Sequence, residues 1–184
     1  MRRLTEISVK AISANTSVAA TLLFSGIFER RAGLKVMFAE SGVGWIPYLL
    51  ERMDYVHEHH HRWTLHGFPK GKKPSDVFPE HIITCFIDDT AGVRNRDLIG
   101  IDNITWECDY PHSDSTWPKA PETLWASLAG VPDDDIHKMT WRNTTRHFQY
   151  DPFKHIPKEE CRVGALRAQA KHVGLTPNVG AVGK

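Results

Sequence analysis

The 184-residue chain is 41% hydrophobic and 24% charged, a balance that suits one soluble globular core and excludes a fibrous or wholly disordered chain. Its 23 basic and 22 acidic side chains leave a net charge of +1, so no overall field draws it to nucleic acid or to an anionic membrane. Cys85, Cys108 and Cys161 are odd in number and form no Cys-x-x-Cys pair, which argues against a disulfide frame or zinc knuckle and for a reducing cytoplasm. Arg2 and Arg3 precede no continuous apolar stretch, and no run of about 18 apolar residues follows anywhere, so neither a leader nor a membrane anchor is expected. From Ile7 to Arg30, apolar Val9, Ile12, Val18, Leu22, Leu23 and Ile27 recur at helical spacing. Gly33 breaks that helix, and residues 34–39 form a nearly continuous apolar strand of the kind covered on both faces in a parallel sheet. Glu40 ends the strand, Ser41-Gly-Val-Gly44 makes a tight connection, and helical period returns from Trp45 to about His57.

Residues 58–80 lose any regular period among Gly67, Pro69, Gly71, Pro74 and Pro79, and read as a long loop with a solvated basic patch at Lys70, Lys72 and Lys73. The run His57-Glu58-His59-His60-His61 invites a metal reading, since imidazoles bind zinc, copper and nickel readily. It lacks a scaffold that would fix a tetrahedral site, so a partly solvated segment is the favoured reading. A second buried strand covers 81–87 and ends in Asp88-Asp89, followed by a short helix over 90–99. Ile104 to Cys108 make a third strand, stopped by Pro111. Helices are expected over 121–128 and 133–148, the latter with Asp133, Asp134 and Asp135 in its first turn, and a small one over 159–172 before a frayed end.

The third strand delivers Asp109 at its carboxyl end, with His112 and Asp114 close behind. In α/β sheets and barrels, loops at that end gather ligands, so two carboxylates and an imidazole there suit metal or acid-base chemistry. The alternative is a strand-end turn in which the aspartates cap backbone amides.

Three segments carry a resemblance: Asp109-Tyr-Pro-His112-Ser-Asp-Ser-Thr-Trp117-Pro118, Phe24 to Arg30, and Leu34-Lys-Val-Met-Phe-Ala-Glu40-Ser-Gly-Val-Gly-Trp45 on to Arg52. Together they resemble the amidohydrolase-related family, in the branch of aminocarboxymuconate-semialdehyde decarboxylase and related aromatic-acid decarboxylases. The resemblance implies α/β architecture, with 1–150 as the carboxyl-terminal portion of a (β/α)8 barrel whose three parallel strands look like the sixth to eighth, and 151–184 as an extension. A complete barrel takes about 250 residues, so the barrel is incomplete in this chain. No His-x-His precedes residue 57, so the first-strand ligand pair of the family has no counterpart here, nor does its fifth-strand histidine.

The family further implies a divalent metal, zinc foremost, with Asp109 as ligand or proton-handling carboxylate. Glu40 stands where related decarboxylases carry a histidine, and a carboxylate cannot donate as imidazole does. Glu40, Asp109 and His112 are the catalytic candidates, and Trp45 and Trp117 the candidate walls for a small, aromatic substrate. Two functions follow. The chain is part of a metal-dependent hydrolase or carboxy-lyase completed by a missing amino-terminal half, or it is an inactive fragment with a scaffolding role. Either leaves open strand edges that favour self-association.

Overall fold

The computed structural model describes residues 2–64, 68 and 71–176. Its first helix, α1 (Arg2–Phe24), turns Ala19 and Leu23 inward at i and i+4, while Val18 is exposed. The hydroxyls of Thr16, Ser17 and Thr21 donate to the carbonyls four residues back at 2.7, 3.1 and 2.9 Å, which satisfies them within the helix. The expected single helix to Arg30 is broken at Gly26, whose φ of 69° lies in the left-handed region that glycine enters without steric cost. A short α2 (Ile27–Arg30) follows and seats Phe28 on the ring of His81 at 4.3 Å.

Three strands, β1 (Val36–Phe38), β2 (Ile82–Phe86) and β3 (Ile104–Trp106), form one parallel sheet in the order β1-β2-β3. Val36 pairs with Ile82 and Thr84 with Ile104, so the side chains of the three strands alternate in phase. Val36, Phe38, Ile82, Phe86, Ile104 and Trp106 join the main core. That core includes Ile46, Leu50 and Met53 of α3 (Ile46–His60), Val77 and Phe78 of α4 (Pro74–His81), and Val93 and Ile99 of the helical pair α5 (Thr90–Arg94) and α6 (Arg96–Ile99). Met37, Ile83, Cys85 and Thr105 point to the opposite face, where Met37 remains 37% exposed. The strands are shorter than the apolar runs that encode them. Glu40 and Asp109 have φ of 56° and 55°, which takes the backbone out of the extended region just past β1 and β3.

Helix α4 corrects the reading of 58–80 as loop throughout. Pro74 opens it, where a missing N–H costs nothing, and the Asp76 carboxylate accepts the Lys73 N–H at 2.9 Å. Helix α3 also runs to His60, past the expected end, so most of the histidine run is helical. Those rings bond locally: His59 Nδ1 lies 2.8 Å from Tyr55 O and His61 Nδ1 3.1 Å from His57 O. Lys72 and Lys73 are paired with Glu80 and Glu58 at 2.5 and 2.7 Å, so this part of the basic patch is neutralised, while Lys70 lies outside the described residues.

The chain then forms α7 (Ala120–Leu128) and a continuous helical rod: α8 (Asp133–His137), a π-helical turn (Lys138–Arg142) and α9 (Asn143–Phe148). This rod covers the outer edge of β3. Glu107 N–H donates back to Phe86 O, so the Ile104 carbonyl falls on the side of the strand away from β2. Asn143, only 2% exposed, donates its amide hydrogens to Ile104 O at 2.7 Å and Ile101 O at 2.8 Å. Asn143→Leu keeps the branched side-chain skeleton but strands both carbonyls, and is expected to destabilise the chain by about 2–4 kcal/mol in urea unfolding. A change under about 0.5 kcal/mol would mean that water reaches this edge. The last helix is α10 (Val163–Gln169), and of the end expected to fray, 175–184, residues 177–184 lie outside the described residues.

Candidate functional site

The three strand ends open onto one place. Glu40 follows β1, Asp88 and Asp89 follow β2, and Glu107 and Asp109 follow β3. Beyond Asp109 the loop turns back on itself: His112 N–H donates to Asp109 O at 2.8 Å, and Ser115 Oγ donates to Cys108 O at 2.8 Å. That turn carries His112 to Asp109, whose Oδ2 lies 2.8 Å from His112 Nδ1. The Asp109 side chain is 13% exposed and the His112 ring 61%. Glu40 completes the group, with one ligand atom each from Glu40, Asp109 and His112 all within 4.8 Å of one another. Among the described residues this is the one such group of three. All three catalytic candidates from the sequence therefore meet at one point, from strands that lie on opposite edges of the sheet.

Glu40 and Asp109 reach this point in left-handed conformations, which cost a non-glycine residue about 1–2 kcal/mol each. Asp is among the residues that tolerate that region, and Glu is not. The Glu40 N–H is held by Glu107 Oε1 at 2.8 Å. The same carboxylate oxygen accepts the thiol of Cys85, which is fully buried beneath the site. Burial first, and then the bond to Glu107, push the Cys85 thiol far up, so it stays protonated and is neither nucleophile nor ligand.

Asp89 builds the floor between β1 and β2. Its Oδ2 accepts Val43 N–H at 2.6 Å and Gly44 N–H at 2.7 Å, and its Oδ1 accepts Gly92 N–H at 2.7 Å as the N-cap of α5. A Cβ on Gly92 would sit 2.3 Å from Val43 Cγ2 and 2.7 Å from Asp89 Oδ2, so only glycine fits there. Neither Asp89 nor Glu107 was singled out from the sequence. Asp89 had a signal, an aspartate directly before a helix starting at Thr90. For Glu107 the signal was a charge inside an otherwise buried strand.

A cleft of about 380 Å³ opens beside the group, lined by Ile12, Glu40, Trp45, Asp88, Asp89 and Asp114 among others. Trp45 thus shares the cleft with Glu40, its Nε1 donating to Gly42 O at 3.0 Å. Trp117 does not. It is 44% exposed, lies 5.0 Å from the Tyr110 ring, and lines a separate groove with Pro118, Pro121 and Leu166 of α10.

The donor set of two carboxylates and one imidazole is the N/O mixture that zinc and manganese accept, and the convergence leaves room for one cation. The histidine run on α3 supplies no comparable group of three among the described residues. No helix there is long and apolar enough to cross a membrane.

The amidohydrolase profile matches residues 9–149, most of the chain. The chain belongs to the amidohydrolase family. Among curated proteins nothing matches. Among solved structures, this amidohydrolase chain is similar to 5-carboxyvanillate decarboxylase from Sphingomonas paucimobilis, at 28% identity and a TM-score of 0.58 over 72% of this chain and 39% of that one. An amidohydrolase from Mycobacterium avium subsp. paratuberculosis K-10 shares the fold at 20% identity and a TM-score of 0.61, over 73% and 33% of the two chains. So does a dihydroxybenzoic acid decarboxylase from Polaromonas sp. JS666, solved with bound manganese and 2-nitroresorcinol, at 24% identity and a TM-score of 0.56 over 73% and 39%. The chain thus spans well under half the length of these structures, and its three parallel strands with their helices are part of a (β/α)8 barrel.

Proposed function

We propose that this chain supplies one wall of a mononuclear metal site in a hydrolase or carboxy-lyase that acts on a small, aromatic carboxylate or amide. The convergence of Glu40, Asp109 and His112 carries the reading. Asp109 and Glu40 would hold the cation, zinc or manganese, with His112 orienting Asp109 through its ring N–H and the remaining ligands coming from outside these strands. When bound, the metal supplies a Lewis acid that polarises a carbonyl or carboxylate oxygen and acidifies water.

The chain's own groups manage protons and orientation. With Nδ1 donating to Asp109, a neutral His112 keeps a lone pair on Nε2 and accepts or returns a proton there. Glu40, ionised, only accepts. It takes a proton from water during hydrolysis and returns it to a leaving nitrogen. In decarboxylation the carbon losing carbon dioxide must gain a proton, and protonated His112 is the donor in reach of the same point. The adjoining cleft wall, with Glu40, Asp88 and Asp114, presents acceptors, so the part of the substrate that meets it presents N–H or O–H groups. Trp45 at the same wall suits an aromatic ring.

Titration of the purified chain with manganese should show saturable binding of one ion per chain, weakened at least about tenfold by His112→Ala. Binding unchanged by that substitution would remove the site from this group.

We also propose that the outer edge of β1 is where further barrel strands, or a second copy, attach. The sheet order gives β1 no partner on that side among the described residues, and Met37 beside it is half-exposed. Light scattering of the isolated chain should report species larger than a monomer, and a monodisperse monomer would refute this.

A further inference from the structure

Glu107 lies one residue past β3, on the face of the sheet that carries Cys85 and Thr105, and its Oε1 gathers two donors from the other strands. One is the buried Cys85 thiol in the middle of β2; the other is the Glu40 backbone N–H, 2.8 Å away, just past the end of β1. The carboxylate therefore ties all three strands together directly below the point where Glu40, Asp109 and His112 meet. It accepts the Glu40 backbone N–H at 2.8 Å, and the Cys85 sulfur lies against the same N–H. Glu40 has φ of 56°, a conformation for which glutamate has no intrinsic preference, so an outside contact must hold it.

We propose that Glu107 is the positioning residue of the site: by accepting the Glu40 N–H it holds Glu40 in the left-handed turn that aims its carboxylate at Asp109 and His112. Its side chain does not itself belong to the converging group. What it contributes is an acceptor at a fixed place, anchored from behind by the Cys85 thiol, whose sulfur also lies against the Glu40 backbone N–H. An extended Glu40 would continue β1 and carry its carboxylate away from the third strand. The consequence for metal affinity rests on the metal reading of the site, whereas the consequence for the Glu40 backbone does not.

The test compares Glu107→Ala, Glu107→Gln and Cys85→Ala in the full 184-residue chain, by amide hydrogen exchange at Glu40 and by manganese titration, with thermal unfolding as the control for folding. Glutamine keeps a carbonyl oxygen where Oε1 sits, so it should retain both the protection of the Glu40 amide and, within about threefold, the metal affinity. Alanine should abolish the protection and weaken manganese binding by about 10–100-fold, the usual effect of removing a group that orients a ligand. Cys85→Ala removes the anchor and leaves the Glu40 bond, so its amide should stay protected. Alanine with the amide still protected overturns the proposal, as does glutamine behaving like alanine in a folded protein. If the unaltered chain binds no manganese, Glu40, Asp109 and His112 do not hold a cation by themselves, and the exchange data alone decide whether Glu107 holds Glu40.

Discussion

Asp109→Asn is expected to lower turnover of the assembled enzyme by about 10²–10⁴-fold while leaving the fold intact. The substitution removes the anionic oxygen that a cation or an imidazolium needs, and an amide has no equivalent. It is also the least disruptive change available. Asp109 sits at φ 55°, a region that Asn enters as readily as Asp, and its side chain is hydrogen-bonded to His112. Steady-state kinetics beside thermal unfolding separate the two effects. Undiminished turnover would remove Asp109 from the chemistry, and a large fall in melting temperature would make it a structural cap instead.

Asp89→Ala should have the largest effect on stability, a loss of about 3–5 kcal/mol. Three backbone N–H groups, those of Val43, Gly44 and Gly92, depend on this one carboxylate, at 2.6–2.7 Å. Bonds to a charged acceptor contribute about 1.5–3 kcal/mol each, but they act as one unit and do not add in full. Against a typical total of about 5–15 kcal/mol, the variant would be close to unfolding. Denaturant titration measures this directly. A loss below about 1 kcal/mol would mean that the loop at 41–44 and the start of α5 find other acceptors. Asp89→Asn should fall between the two, because one amide oxygen cannot serve both the loop and the cap.

The contrast between Asp109 and Asp89 shows what was legible along the chain. Both are aspartates at strand ends, Asp109 in a polar loop with His112 and Asp114 and Asp89 only in the pair Asp88-Asp89. The surrounding motif, Asp109-Tyr-Pro-His112, marked the first as chemical, and spacing alone brought His112 into reach because three residues make one turn. Asp89 works across more than forty residues of chain, on backbone amides that carry no mark of their own in the sequence. Helix α4 was missed for a related reason. Its prolines read as breakers, although Pro74 at the first position favours a helix, and it is burial of Val77 and Phe78 against the sheet that makes eight such residues helical.

The sequence by itself determined the elements and the chemistry on offer: apolar runs bounded by glycine and proline give three buried strands between helices, and Glu40, Asp109 and His112 bring two carboxylates and an imidazole. Those properties are local, since strand and helix periods and side-chain identity need no distant partner. Only the tertiary structure decided that Glu40 meets Asp109 across the width of the sheet, that Trp45 shares their cleft while Trp117 lines another groove, and that Glu107 and Asp89 bind the strand ends together. Each of these depends on the order of strands, on their register, and on two residues turned into left-handed conformations, and such long-range pairings leave no periodic trace in the chain.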